Sequence, residues 1–184
     1  AAGEKSKNME TLVSLYDGML SPLPFPMTRG GLVVALGGGV VGDMVGFAAA
    51  TLFRGIPFVQ IPTTLLAQVD SSVGGKVAVD LKQGKNLAGA FYQPKAVLID
   101  PETLDTLPDR VFQDGLAEVV KYGVLGDERL FSLLESCKDR QELMTHMEEI
   151  VYTCCDAKRT IVERDEKDTG DRMLLNFGHT LGHA

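Results

Sequence analysis

Apolar residues fall into two patterns along this chain. In the first part they form short runs closed by Gly, Pro or Asp: residues 32–36 (Leu-Val-Val-Ala-Leu), 58–61 (Phe-Val-Gln-Ile, interrupted by Gln60) and 96–99 (Ala-Val-Leu-Ile). Such runs predict buried strands. Between them, residues 9–20 carry Met9, Leu12, Val13, Tyr16 and Leu20 at helical spacing, and Pro22, Pro24 and Pro26 end that helix. A small-residue helix is predicted over 43–53, where Ala48, Ala49 and Ala50 allow close approach to a neighbour. Further expectations are a helical piece at 65–69, a strand at 77–79, a polar turn at 80–86 and a third buried strand at 96–99. After Pro108 the period lengthens. Residues 109–125 and 139–164 read as helices, the second opened by Asp139 and Glu142 as a capping box. Leu143, Met147, Ile150, Val151, Cys154, Ile161 and Val162 form its apolar stripe. A charged loop, 165–171, leads to the start of another helix at 172–184. The fold class is α/β with a largely parallel sheet, then an α-helical part, with Pro108 as the boundary between 1–108 and 109–184.

The first strand runs into Gly37-Gly38-Gly39-Val40-Val41-Gly42-Asp43. Gly37, Gly39 and Gly42 satisfy G-x-G-x-x-G between a strand and a helix, the context of a Rossmann-like pyrophosphate turn. The same spacing also serves a tight turn that binds nothing. The acidic residue expected roughly 20 positions on, to hold a ribose, is missing around Val59 and Gln60.

Composition narrows the classes. The 184 residues are 45% hydrophobic and 23% charged, with 18 basic against 25 acidic side chains. A net charge of −7 argues against a general nucleic-acid or acidic-membrane binder. No apolar run is long enough to span a bilayer, and residues 1–8 have no signal-peptide core. The three cysteines, Cys137, Cys154 and Cys155, form no C-x-x-C pair, which fits a reducing, cytoplasmic setting.

Several polar residues sit where chemistry could use them. Lys158 lies on the apolar stripe, so it either snorkels to the surface or points into a pocket. Glu118 and Lys121 share a helix face behind Gly115, either as a surface ion pair or as a site that something approaches. Arg172, Asn176, His179 and His183 would form one polar stripe on an α-helix, away from Leu174, Leu175 and Leu181. The two histidines, out of three in the chain, are spaced either for a metal or for packed hydrogen bonding, and Glu118 could add a carboxylate. Lys76 and Lys85 sit beside glycines, where an ammonium is well presented to an anion. With Arg54, Lys121, Lys158 and Arg172, these cations suit a substrate bearing phosphate and carboxylate.

Seven ordered motifs together resemble the 3-dehydroquinate synthase family: Gly3-Glu4-x-x-Lys7, residues 37–43, Pro62-Thr63-Thr64, residues 70–76, Gly84-Lys85-Asn86, residues 115–122, and Leu174-Leu175-Asn176-Phe177-Gly178-His179-Thr180-Leu181-Gly182-His183-Ala184. The resemblance covers nearly the whole chain, as an internal piece of about half such an enzyme. It implies a dehydroquinate synthase-like fold, an incomplete NAD-binding layer followed by an incomplete helical metal-binding domain. It further implies NAD contacts from Gly3, Glu4, Lys7, Gly38, Gly39, Val40, Val41, Gly42, Asp43, Thr63, Thr64, Lys76, Lys85, Thr103, Leu104, Asp105 and Thr106. Glu4 would then supply the missing ribose acid. Glu118 and His179 would hold a divalent metal, zinc or cobalt, and a third ligand would lie past Ala184. Asp70, Lys76, Asn86, Lys121, Lys158, Arg172, Asn176 and His183 would surround the substrate. Arg54 would reach into the partner site of a homodimer. Asp168 and Val111 depart from the family pattern, where glutamates are usual.

The implied reaction converts 3-deoxy-D-arabino-heptulosonate 7-phosphate to 3-dehydroquinate and phosphate, a step of the shikimate pathway. The hydride lent to NAD is returned within each turnover. Alternatives are another sugar-phosphate cyclase, of the valiolone or deoxy-inosose type, a glycerol-dehydrogenase-like oxidoreductase, or a non-catalytic binding fragment. Arg172 and Asn176 favour the first reading. These 184 residues alone are expected to be inactive.

Overall fold

The computed structural model describes residues 3–22 and 24–178. The chain divides into two compact units, residues 1–63 with 75–100, and residues 64–74 with 101–184.

In the first unit, β1 (Val33–Gly37) and β2 (Phe58–Pro62) pair in parallel with Val33 opposite Phe58, and β5 (Ala96–Val97) joins β2. A parallel pair needs a crossover. The helix α2 (Gly39–Thr51) provides it and packs on β1 as well as on β3 (Lys76–Leu81). β3 forms an antiparallel hairpin with β4 (Gly84–Phe91), with Lys76 opposite Phe91. Helix α1 (Met9–Leu20) starts where the Asn8 side chain accepts from the Thr11 N–H at 2.9 Å, and it ends before the proline run. Its Leu12 joins Met44, Ala48 and Val79 in one buried cluster, and Val33, Ala49, Leu52, Ile56, Phe58 and Val77 form another. The alanines expected to permit close approach are fully buried at Ala48 and Ala49.

Four expectations shift here. Helix α2 begins at Gly39, inside the glycine cluster rather than at Asp43, because Gly38 is already extended and serves as its N-cap. Strand β1 buries only Val33 and Ala35, while Val34 and Leu36 are exposed. The third run shortens to an exposed two-residue edge, with Leu98 outward. The polar stretch 80–86 is mostly strand, since the turn is confined to Lys82 and Gln83. The Gly84-Lys85-Asn86 end of β4 is solvated, so no apolar alternation marks it.

The second unit is helical. Pro108 precedes α3 (Asp109–Gly126), followed by α4 (Glu128–Ser136), α5 (Arg140–Thr145) and α6 (Met147–Arg164). The helix expected over 139–164 is therefore two, broken where His146 leaves helical geometry (φ −110°, ψ 5°). Asp139 caps α5 by accepting from the Glu142 N–H, as the capping box predicts, while the Glu142 carboxylate accepts from the Lys138 N–H. Six of the seven stripe residues are buried, Ile161 being partly exposed. Residues 64–74 form a helical turn, widened to π geometry over Ala67–Ser71, that packs on α3 and α6.

The segment after the charged loop is a 3-10 helix, Asp171–Asn176, instead of an α-helix. Residues three apart eclipse one another in that geometry. Arg172 therefore shares its buried face with Leu175, and Asn176 is exposed. Arg172 and Asn176 of the expected polar stripe thus do not share a face, Leu175 does not face away from Arg172, and His179 and His183 lie outside the described residues.

Candidate functional site

The second unit gathers most of the expected substrate residues. Gly115 lets α3 meet residues 64–74 backbone to backbone: a Cβ there would sit 2.5 Å from the Leu66 nitrogen and 2.7 Å from the Leu65 Cβ. That contact brings Asp70 toward α3 and α6. Asp70 Oδ1 accepts from the Tyr122 hydroxyl at 3.0 Å and from Lys158 Nζ at 3.0 Å. Lys158 Nζ also donates to the Asp70 carbonyl at 2.6 Å. Lys158, the stripe lysine, therefore points inward and is 6% exposed.

Lys121 is buried as well, donating to Glu118 and, at 2.9 Å, to the Leu175 carbonyl. Arg172 is buried at 3% exposure, its guanidinium donating to the carbonyls of Gly74 (3.0 Å) and Glu166 (2.8 Å). The loop behind it is wound on Asp165, whose carboxylate accepts from the N–H groups of Thr169, Gly170 and Arg172. Those bonds, the Thr169 one foremost, hold Asp165 down at about 2.

Charge is unbalanced in this group. Burial pushes the Asp70 carboxyl up, but the ammonium groups of Lys158 and Lys121 and the hydrogen bonds from Lys158 and Tyr122 bring it below the ordinary aspartate range. Lys158 is also held below its ordinary value, by burial first and then by the like charges of Arg172 and Lys121, against the opposing pull of Asp70. A balanced pair would raise the lysine while lowering the acid. Burial is the main cause of the Lys158 shift, and the group itself gathers three basic side chains, Lys121, Lys158 and Arg172, with the carboxylates of Asp70 and Glu118, one positive charge more than negative, an environment that favours an anion.

Neighbouring thiols are quiet. Burial pushes Cys154 up to about 12 and Cys155 to about 11, and Cys155 donates to the Gln68 carbonyl. All three cysteines are free.

The first unit assembles another group. The buried Lys7 ammonium bonds Asp43 Oδ2 and Asn86 Oδ1, each at 2.5 Å. Asn86 takes a left-handed turn (φ 55°) fixed by its N–H donating to Asp80. Glu4 Oε1 stands 3.6 Å from Lys85 Nζ. Glu4, Lys7, Asp43, Lys85 and Asn86 come from the 3-10 turn Glu4–Ser6 and its end, α2 and β4, and all five were singled out from the sequence, while Asp80 on β3 was not. No side chain caps the start of α2, and the Thr63 N–H closes the turn onto the Gly37 carbonyl at 2.9 Å. A Cβ on Gly42 would lie 2.7 Å from Gln60 Oε1, so a larger residue there would have to displace the end of the Gln60 side chain.

Lys76 is exposed at the start of β3 in the first unit, and Thr63 and Thr64 are partly buried. Thr103–Thr106 lies in the second unit, where Leu104 is buried while Asp105 and Thr106 are exposed. Arg54 is exposed at the end of a turn in which it and Phe53 both have positive φ (69° and 52°). His179 and His183 lie outside the described residues. Among the described residues no three His, Cys, Asp or Glu side chains converge as a metal site, and Glu118 is the expected ligand present. No described helix is long and apolar enough to cross a membrane.

Sequence reasoning overlooked Tyr122, Asp165 and Arg140. A tyrosine one residue from Lys121 on a helix packed against residues 64–74 needs a partner for its hydroxyl when buried, which was the available signal. Asp165 and Arg140 act on backbone groups distant in sequence or hidden in a loop, for which residue spacing carries no sign.

The N-terminal family model of 3-dehydroquinate synthase matches residues 1–114, and the C-terminal model matches 115–184. A curated 3-dehydroquinate synthase of Clostridium beijerinckii is 59% identical over 99% of this chain, which spans about half (51%) of that relative's length. The crystal structure of 2-deoxy-scyllo-inosose synthase with carbaglucose-6-phosphate, NAD+ and Co2+ is similar at a TM-score of 0.84 and 30% identity, over 99% of this chain and 49% of that one. The 2-epi-5-epi-valiolone synthase of Streptomyces hygroscopicus, with NAD+ and Zn2+ bound, is similar at 0.86 and 33%, over 97% of this chain and 50% of that one.

Proposed function

This chain belongs to the 3-dehydroquinate synthase family, and from that premise we propose that it is the central part of an enzyme converting 3-deoxy-D-arabino-heptulosonate 7-phosphate to 3-dehydroquinate and phosphate. Residues 1–108 would belong to the NAD-binding part and 109–184 to the metal- and substrate-binding part. The observation that carries the reading is the buried group of Lys121, Lys158 and Arg172 around Asp70. Its surplus positive charge suits a substrate with a phosphate and a carboxylate.

The proposed roles follow the family pattern. Residues 38–43, Gly3, Glu4, Lys7, Thr63, Thr64, Lys76, Lys85 and 103–106 hold NAD, with the pyrophosphate at the uncapped start of α2. Glu118, with His179, holds a divalent cation. When bound, NAD supplies a reversible hydride acceptor and the cation polarises substrate hydroxyls. Lys158 and Arg172 orient the anionic groups. Asp70 keeps the Lys158 ammonium in place, and Lys76, Asn86, Lys121, Asn176 and His183 complete the substrate contacts. Arg54, presented on its strained turn, serves the neighbouring subunit of a homodimer. The free cysteines support a cytoplasmic setting.

The test is turnover by the full-length protein carrying this chain, supplied with NAD, zinc or cobalt, and the heptulosonate phosphate. Dehydroquinate and phosphate should appear without net NADH. Turnover of sedoheptulose 7-phosphate in its place would assign the chain to the valiolone or deoxy-inosose type, and net NADH from a simple polyol would make it a dehydrogenase.

A further inference from the structure

We propose that Arg140 is a positioning residue for the cofactor: its guanidinium fixes the segment Thr103–Thr106 in the conformation that receives NAD. The inference rests on the cofactor reading of those residues given above.

The segment is a single 3-10 turn, Pro101–Leu104, running into a second turn closed by Leu107 N–H donating to the Leu104 carbonyl at 3.0 Å. A helix this short has almost no stability of its own, and its final carbonyls need donors. Arg140 supplies them. Its Nη2 donates to the Leu104 carbonyl at 2.6 Å, and its Nη1 donates to the Leu107 carbonyl at 2.8 Å and to Asp109 Oδ1 at 2.5 Å. The guanidinium also stacks 4.5 Å over the Phe112 ring. One planar side chain thus ties the start of α5 to both ends of residues 104–107 and to the first turn of α3. On the other side, the fully buried Gln68 donates through Nε2 to Thr103 Oγ1 at 3.0 Å.

What this leaves outward matters. Leu104 is buried and anchors the turn, while Asp105 and Thr106 are exposed between two clamped carbonyls. A segment fixed at both ends and open in its middle presents polar groups at no ordering cost to a ligand. The geometry requires an arginine. Nη1 and Nη2 bond three acceptors at once, a fork that an ammonium on a flexible stem does not reproduce. Arg140 itself need not touch NAD, so it is not a catalytic residue.

The test measures NAD dissociation constants by calorimetry on the full-length protein carrying this chain, as wild type, R140M and R140K. R140M should bind NAD about tenfold more weakly, as expected for losing charge-assisted bonds that order a binding segment. R140K, which keeps the charge, should fall between the two. In turnover, KM for NAD should rise while KM for the sugar phosphate is unchanged. A general loss of folding would move both. Equal NAD affinity in all three proteins overturns the inference. If R140M does not fold, R140K decides alone: a raised constant supports the inference and an unchanged one overturns it. Failure of the wild type to bind NAD overturns the cofactor reading itself, and this inference with it.

Discussion

Two buried lysines in this chain each meet one aspartate, and they do different work. Lys7, in the first unit, finds a carboxylate and an amide oxygen and spends its ammonium on them. It ties the segment that leads into α1 to α2 and to the left-handed corner of β4. Lys158, in the second unit, meets an aspartate already bonded to Tyr122, with Lys121 and Arg172 close enough to repel it. One lysine is matched by the carboxylate and amide it bonds. The other sits in a group with positive charge to spare, which a scaffold has no use for and an anion-binding pocket does.

The contrast can be broken most sharply at Asp70. Asp70→Ala leaves Lys158 buried without its carboxylate, at a cost of about 3–5 kcal/mol to the second unit. Chemical denaturation followed by hydrogen exchange in α3 and α6 would show it, and a loss below about 1 kcal/mol would mean that the pair is not desolvated. Next comes the comparison of Lys7→Met with Lys158→Met. The first removes the ammonium that bonds Asp43 and Asn86 and should destabilise the protein by about 1–3 kcal/mol. The second relieves repulsion and leaves Asp70 its tyrosine bond, so it should cost less while abolishing binding of the sugar phosphate. The reverse order of stabilities would undo the distinction.

Acid and base limbs sharpen it further. Asp70 is depressed when folded, so its contribution is present above the ordinary aspartate value and is lost as pH falls through its lowered one. Lys158 is depressed too, so the unfolded chain holds that proton more tightly, and stability rises as pH climbs from the folded value toward the ordinary lysine range. Both groups therefore make stability increase with pH, in an acid window and an alkaline one. D70N should remove the Asp70 share of the acid limb and leave that of Asp165. The smallest effect belongs to Tyr122→Phe, which removes one hydrogen bond to Asp70 and should cost about 1 kcal/mol in thermal unfolding, with no change in fold.

Most elements were legible because their periods were clean. Helix α1, β2 and α3 carry uninterrupted patterns and standard stops, and they form where expected. Strand β4 was hidden because its first residues face water, and the break at His146 because the apolar stripe runs across it unbroken. The site was legible as a set of residues but not as a geometry. Lys158 could have snorkelled, and what turned it inward is Asp70, far away in sequence. Arg172 and Asn176 share a face only if the helix is α, and the 3-10 geometry of Asp171–Asn176 separates them. The Asp165 cage that builds that loop has no periodic signature at all.

The claim that the second unit holds uncompensated positive charge is tested most directly at the Lys158 ammonium. Its titration can be followed by NMR in full-length protein labelled at lysine, with and without the heptulosonate phosphate. Lys158 should titrate below the ordinary lysine value in the free protein and move upward when the anion binds. An ammonium that titrates at the ordinary value and does not respond to the ligand would contradict the account.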